Sequence, residues 1–183
     1  MKISFAFLFI VFSFQVHANE HALGAHEHGS IKLGMALENK IVEIDIDGPS
    51  EAFLGFEYKP KTNIEKKLFN DLESKWNKNL DSIIAFDKHL NCKIMDISFI
   101  QVIDEKETKE AQALIKDLTK KEAGVHSDIE AKAKLKCDKN LSGTEVTISL
   151  KKVFPNIKKL TVEVISGEVK SIEITKPIQS FKI

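Results

Sequence analysis

No arginine stands anywhere in the 183 residues, so all 27 basic side chains are lysine. Without the planar guanidinium fork there is no bidentate grip on phosphate or carboxylate, which argues against a phosphate-ligand role. Net charge is lacking too: 27 basic residues balance 27 acidic ones. A nucleic-acid or anionic-membrane surface needs a basic excess, and this chain has none to offer. Also missing are GxSxG, HExxH, Gly-rich phosphate loops and a dinucleotide fingerprint, so the motifs of the common hydrolases and nucleotide enzymes are not here. The expectation is a protein that is not an enzyme. A hydrolytic zinc held by three histidines would also need a general base and a pocket, and the sequence identifies neither.

Cysteine is scarce, with two residues, Cys92 and Cys137. Their meaning depends on compartment. Residues 1–18 have the form of a secretory signal: Lys2, an apolar run from Ile3 to Val16, and Val16-His17-Ala18 as a small-residue cleavage site. The run is shorter than the ~20 residues a spanning helix wants, though an uncleaved anchor is the competing reading. No cysteine lies near the cleavage point for a lipid anchor. The mature chain, residues 19–183, is expected to be an exported, periplasmic protein of one β-rich domain, with no stable membrane insertion after cleavage. In an oxidising compartment a lone cysteine pair points to a Cys92–Cys137 disulfide, worth roughly 3–4 kcal/mol by chain entropy. The alternative, two thiolate metal ligands, lacks the second CxxC-type pair that such sites use.

What is present is mostly β pattern. Ile31, Leu33, Met35 and Leu37 alternate with wetter residues, as do Val42, Ile44 and Ile46. Glu38-Asn39-Lys40 between them fits a hairpin turn, since asparagine tolerates the left-handed conformation. Residues 51–61 show no clean period and are expected to be an irregular connection. Thr62-Asn63-Ile64-Glu65 fits a capping box, opening an amphipathic helix over about 62–79 with Ile64, Leu68, Leu72 and Trp76 at four-residue steps and Phe69 alongside. Trp76 and Phe69 are expected in the core. A shorter helical piece is expected over 80–89. The run from Cys92 to Ile103 is apolar and β-branched, like a strand buried on both faces. Residues 104–124 are dense in Glu and Lys, a charged helical or mobile insertion. Ile129, Ala131, Ala133, Leu135 and Cys137 alternate strictly with polar residues, which turns Cys137 toward the core. Strands are expected at Val146–Leu150, at Leu160–Val164 and at Val169–Thr175. The fold class that follows is α+β, mainly β: an antiparallel sheet or sandwich with one inserted helix.

Histidine supplies the candidate chemistry. Three of six histidines, His21, His26 and His28, cluster just after the signal. On an extended strand His26 and His28 point to the same side, roughly 6.5–7 Å apart at the backbone, so both rings can face one ion. Two ligands make a weak site, because zinc takes three or four. His126 is the natural third if its strand lies beside the N-terminal one, while Glu20 and His21 can fold back. By residues alone, solvated histidines near a chain end account for the pattern equally well. His89 has no evident partner.

His26-Glu27-His28-Gly29 stands before the hairpin and Gly55-Phe56-Glu57-Tyr58-Lys59-Pro60-Lys61-Thr62 before the capped helix. Further along come Cys92, His126-Ser127-Asp128 opening the strand that ends at Cys137, and Val153-Phe154-Pro155-Asn156-Ile157 with Leu160 and Val162. In this order the motifs resemble the ZrgA-like family of exported bacterial zinc-uptake-associated proteins. The resemblance implies a periplasmic zinc-binding accessory that assists uptake through a zinc ABC importer, with zinc as the ligand and the importer's components as partners. Two departures stand out. Family members commonly carry a long His/Asp-rich insertion where this chain has residues 104–124 with no histidine, and often a histidine where this chain has Tyr58. Loss of that insertion leaves a second reading, a periplasmic protein-interaction module of the same fold without metal binding.

Overall fold

The computed structural model describes residues 28–103 and 126–183. The expected signal peptide, His21, His26 and the 104–124 segment lie outside the described residues.

The hairpin forms as its pattern requires. Strand β1 (Ser30–Glu38) pairs antiparallel with β2 (Ile41–Pro49), Leu37 facing Val42 and Leu33 facing Ile46. Asn39 takes the left-handed turn conformation at φ 54°. Ile31, Leu33, Met35, Val42, Ile44 and Ile46 all point to one side and are buried. Full burial of such a side chain is worth about 1.5–3 kcal/mol. A slip of one residue would turn the whole set to water, so the register is strongly specified.

Strand β5 (Ser127–Lys136) joins the other edge of β2, and β4 (Lys93–Ile103) pairs with β5. On the far side β7 (Lys159–Ser166) runs parallel to β1 and pairs antiparallel with β8 (Glu168–Glu173). The resulting six-stranded order is β4-β5-β2-β1-β7-β8. The parallel β1–β7 pair departs from a purely antiparallel sheet. Before reaching β7 the chain passes through a second sheet, built from β3 (Ile84–Phe86), β6 (Glu145–Ile148) and β9 (Gln179–Lys182) in the order β3-β6-β9, and so enters β7 from the end where β1 begins. Both sheets contribute to one apolar cluster, which includes Ile84, Val146 and Ile148 beside Leu160, Val162 and Val164.

Helix α1 (Ser50–Leu54) is one short turn after β2, and α2 (Asn63–Lys78) is the amphipathic helix read from the sequence. The capping box is present, with the Thr62 hydroxyl accepting from the Glu65 amide and the Glu65 carboxylate from the Thr62 amide. Trp76 is buried and its Nε1 donates to the Lys132 carbonyl at 3.3 Å. Phe69 packs on Phe99 of β4, with ring centroids 5.8 Å apart. The buried stripe is nevertheless rotated from the expected one: it runs through Phe69, Leu72 and Trp76, leaving Ile64 82% exposed. The cap, not core packing, starts this helix.

Three further expectations are corrected. The 80–89 stretch holds two single 3₁₀ turns, Leu80–Ser82 and Lys88–Leu90, around β3, instead of a helical piece. Leu150 does not extend β6; it begins the short helix α3 (Leu150–Val153). Strand β4 is an edge strand with Ile94, Met95 and Ile100 exposed, so its apolar composition does not mean burial on both faces. Cys92 and Cys137 are joined as a disulfide, with Cys137 buried as its alternation predicted. The pair is therefore not a thiolate metal site. Among the described residues, no helix is long and apolar enough to cross a membrane.

Candidate metal centre

Antiparallel pairing of β2 with both β1 and β5 brings the start of β1, the start of β5 and the end of β2 to one end of the sheet. His28 lies just before β1, His126 directly before β5, and Glu51 in the turn of α1 directly after β2. Gly55 then closes α1 in the left-handed conformation at φ 82°, with its amide bonded to the Glu51 carbonyl at 2.8 Å. That reversal, open to glycine at little cost, turns the irregular stretch after it back toward the strand ends. Its Phe56 stacks on Tyr58 with centroids 4.9 Å apart, and Tyr58 donates to Glu65 at 2.8 Å. Glu57, between these two rings, is delivered to the histidines.

Glu57 is the centre of the site. One of its carboxylate oxygens lies 2.5 Å from His126 Nδ1 and the other 3.3 Å from His28 Nδ1. The His28 Nδ1 is also 2.7 Å from Glu51 Oε2. The two imidazole centroids stand 6.5 Å apart. Glu57 is the most enclosed of the four, its side chain 17% exposed against 61% for His28, 54% for His126 and 43% for Glu51.

These are two imidazole nitrogens and two carboxylates, donor types that suit zinc. Four donors at zinc-bound distances of about 2.1 Å stand roughly 3.4 Å apart in a tetrahedron. One donor atom each from His28, Glu51 and Glu57 lies within 4.8 Å of the others, and the shared carboxylate ties in His126. A single histidine–carboxylate pair is ordinary at a protein surface. One carboxylate spanning two imidazoles, with a second carboxylate on the same ring, is a donor set that could hold a metal ion. The histidine–carboxylate contacts hold the four side chains together as they stand.

Beside Glu51 a pocket of about 380 Å³ opens between Gly29, Gly55, Asn156 and Lys158. Near the other flank, the Glu65 carboxylate is lowered to about 2 by the Thr62 amide first, then the Tyr58 hydroxyl and the Lys61 amide. It thus stays charged and keeps the stretch carrying Glu57 tied to the start of α2.

Of the histidines singled out in the sequence, the fold brings His28 and His126 together, although their strands are not side by side as expected: β2 lies between β1 and β5, and Glu57 spans the gap between the two rings. His21 and His26 lie outside the described residues. His89 does have a partner, Asp87 Oδ1 at 2.5 Å from its Nδ1, and takes no part in the cluster. Sequence reasoning missed Glu51 and Glu57, both in the stretch dismissed as an irregular connection. The available signal was the Gly55–Thr62 block itself, where an acidic residue sits between two aromatics just after a glycine.

No curated protein is similar enough to the chain to add a comparison. A family model does match, the one described as ZrgA family zinc uptake protein, over residues 25–183. The matched span takes in the whole sheet and all four side chains of the cluster, and the chain belongs to the ZrgA family of zinc uptake proteins.

Proposed function

We propose that this is a periplasmic zinc-binding accessory protein, not an enzyme, which holds one zinc ion at His28, His126, Glu57 and Glu51 and passes it to an ABC importer. The observation that carries the reading is the Glu57 carboxylate shared by His28 and His126, with Glu51 on the same His28 nitrogen. Family membership supplies the link to zinc uptake. Three of the four donor side chains are more than two-fifths exposed, which suits an ion that must be given away. A wholly buried structural site would hold its metal instead. His26 and His21, two and seven residues before His28 in the sequence, are the further imidazoles that would serve loading or handover. The disulfide fits an oxidising compartment and supports the export reading.

The test is calorimetric titration of the metal-stripped mature protein with zinc, beside the His28→Ala/His126→Ala variant. The expected result is one zinc per wild-type chain and little or no binding by the variant. Full binding by the double variant would overturn the site. A wild type that takes no zinc would overturn the function and leave the interaction-module reading standing.

A further inference from the structure

We infer that Ser50, Ser127 and Gln101 are positioning residues that hold the carboxylates and His126 in ligating geometry before any ion arrives. This rests on the zinc-binding reading of the cluster and adds to it the part of the chain that makes the cluster rigid.

Each member of the trio is tied to a candidate ligand. Ser50 precedes Glu51 and Ser127 follows His126. The Ser127 hydroxyl donates to the Glu57 carbonyl. Gln101 reaches across from the edge strand β4. Its Nε2 donates to Ser127 Oγ at 2.9 Å and to the Tyr58 carbonyl at 3.2 Å, and lies 3.4 Å from Ser50 Oγ. The two serine oxygens are 2.9 Å apart. A hydroxyl has one proton and two lone pairs. Ser127 Oγ stands within hydrogen-bonding reach of the Glu57 carbonyl, Ser50 Oγ and Gln101 Nε2, three partners for its one proton and two lone pairs, so its capacity is filled. The knot thereby fastens the Glu57 and Tyr58 carbonyls to α1, β4 and β5.

Burial separates this from an ordinary surface network. Ser50 is 0% and Ser127 3% exposed, and among the described residues these two are the buried polar ones. What the trio holds is the stretch that most needs holding: Glu57 lies in neither helix nor strand, and a ligand on an irregular segment needs anchors of its own to hold its geometry. Replacing the hydroxyls by apolar groups would also leave the Glu57 carbonyl and the Gln101 amide short of partners, so stability is affected as well as position.

The experiment compares wild type, Ser50→Ala/Ser127→Ala and Gln101→Leu as metal-stripped mature proteins. Zinc affinity is read by competition with a chromophoric chelator. Ligand geometry is read by the visible absorption of the cobalt(II) form, and fold by thermal melting without metal. Loss of such outer-shell partners typically weakens metal binding about 10–100-fold. The expected outcome is a fall of that size with weakened tetrahedral cobalt bands, beside a lowering of the metal-free melt by only a few °C from the polar groups left without partners. Zinc affinity and cobalt spectrum equal to wild type in both variants would overturn the positioning role while leaving the zinc reading intact. A melt lowered in step with affinity, at an unchanged cobalt spectrum, would also overturn it in favour of a structural role. Gln101, on an exposed edge strand, keeps the test decisive if the serine pair fails to fold. A wild type that binds no zinc would remove the reading on which the inference rests.

Discussion

Replacing Glu57 by glutamine tests the site at its centre with almost no change of shape. The amide keeps the volume, its oxygen still accepts from His126 Nδ1, and its NH₂ faces His28, so the metal-free fold should hold. What disappears is the negative charge shared by both imidazoles. Changes one shell further out cost metal sites about 10–100-fold in affinity, so removing the bridging carboxylate itself should cost at least about 100-fold, or about 2.7 kcal/mol. The same number is visible in melting. At a zinc concentration 100 times the wild-type Kd, binding stabilises the wild type by about 2.7 kcal/mol, whereas the variant gains about 0.4. For a chain of this size that is a rise of about 5–11 °C for wild type against about 1–2 °C for Glu57→Gln. Titration calorimetry and differential scanning measure both. Glu51→Gln is the control. Glu51 is more exposed and faces His28 only, so its loss should be the smaller. If the wild type binds zinc and Glu57→Gln binds within about threefold of it, the carboxylate is not a ligand and the reasoning fails.

Two predictions concern the frame around the site. Converting Cys92 and Cys137 to alanine opens a crosslink with a sequence separation of 45. Chain entropy puts the loss at about 4 kcal/mol and the fall in Tm at about 8–16 °C, with a drop of under about 3 °C speaking against the bridge as a main constraint. Glu65 gives a pH signature. Its carboxylate sits at about 2 in the fold against an ordinary 4.5, so its contribution is complete above the ordinary value and fades as pH falls toward 2. Unfolding of wild type and Glu65→Gln, followed from pH 6 to pH 2, should converge across that window; a constant difference between them would contradict the cap as described.

Local pattern carried the frame. Strict alternation determined the β1–β2 hairpin, β5 and the inward turn of Cys137, because period-two burial is written into neighbouring residues and one slipped register exposes every buried side chain. The capping box determined where α2 begins for the same reason: its donors and acceptors lie within four residues. Elsewhere local pattern misled. The apolar composition of β4 does not say that it stands at a sheet edge, since edge position depends on which strand pairs with which. Parallel entry of β7 beside β1 follows from the route of the chain through the second sheet, which no short stretch encodes.

The site divides along the same line. Histidines announce themselves as metal ligands, and the sequence by itself pointed to His28 and His126. Glutamate does not, because most of the 27 acidic residues serve the solvent. Only the tertiary structure decided that Glu51 and Glu57 belong to the cluster. A left-handed glycine reverses the chain at Gly55, three strand ends converge, and two buried hydroxyls far apart in sequence, Ser50 of α1 and Ser127 of β5, meet beside them. Ligand sets are assembled by distances in space, and those distances exist only after the strands have paired.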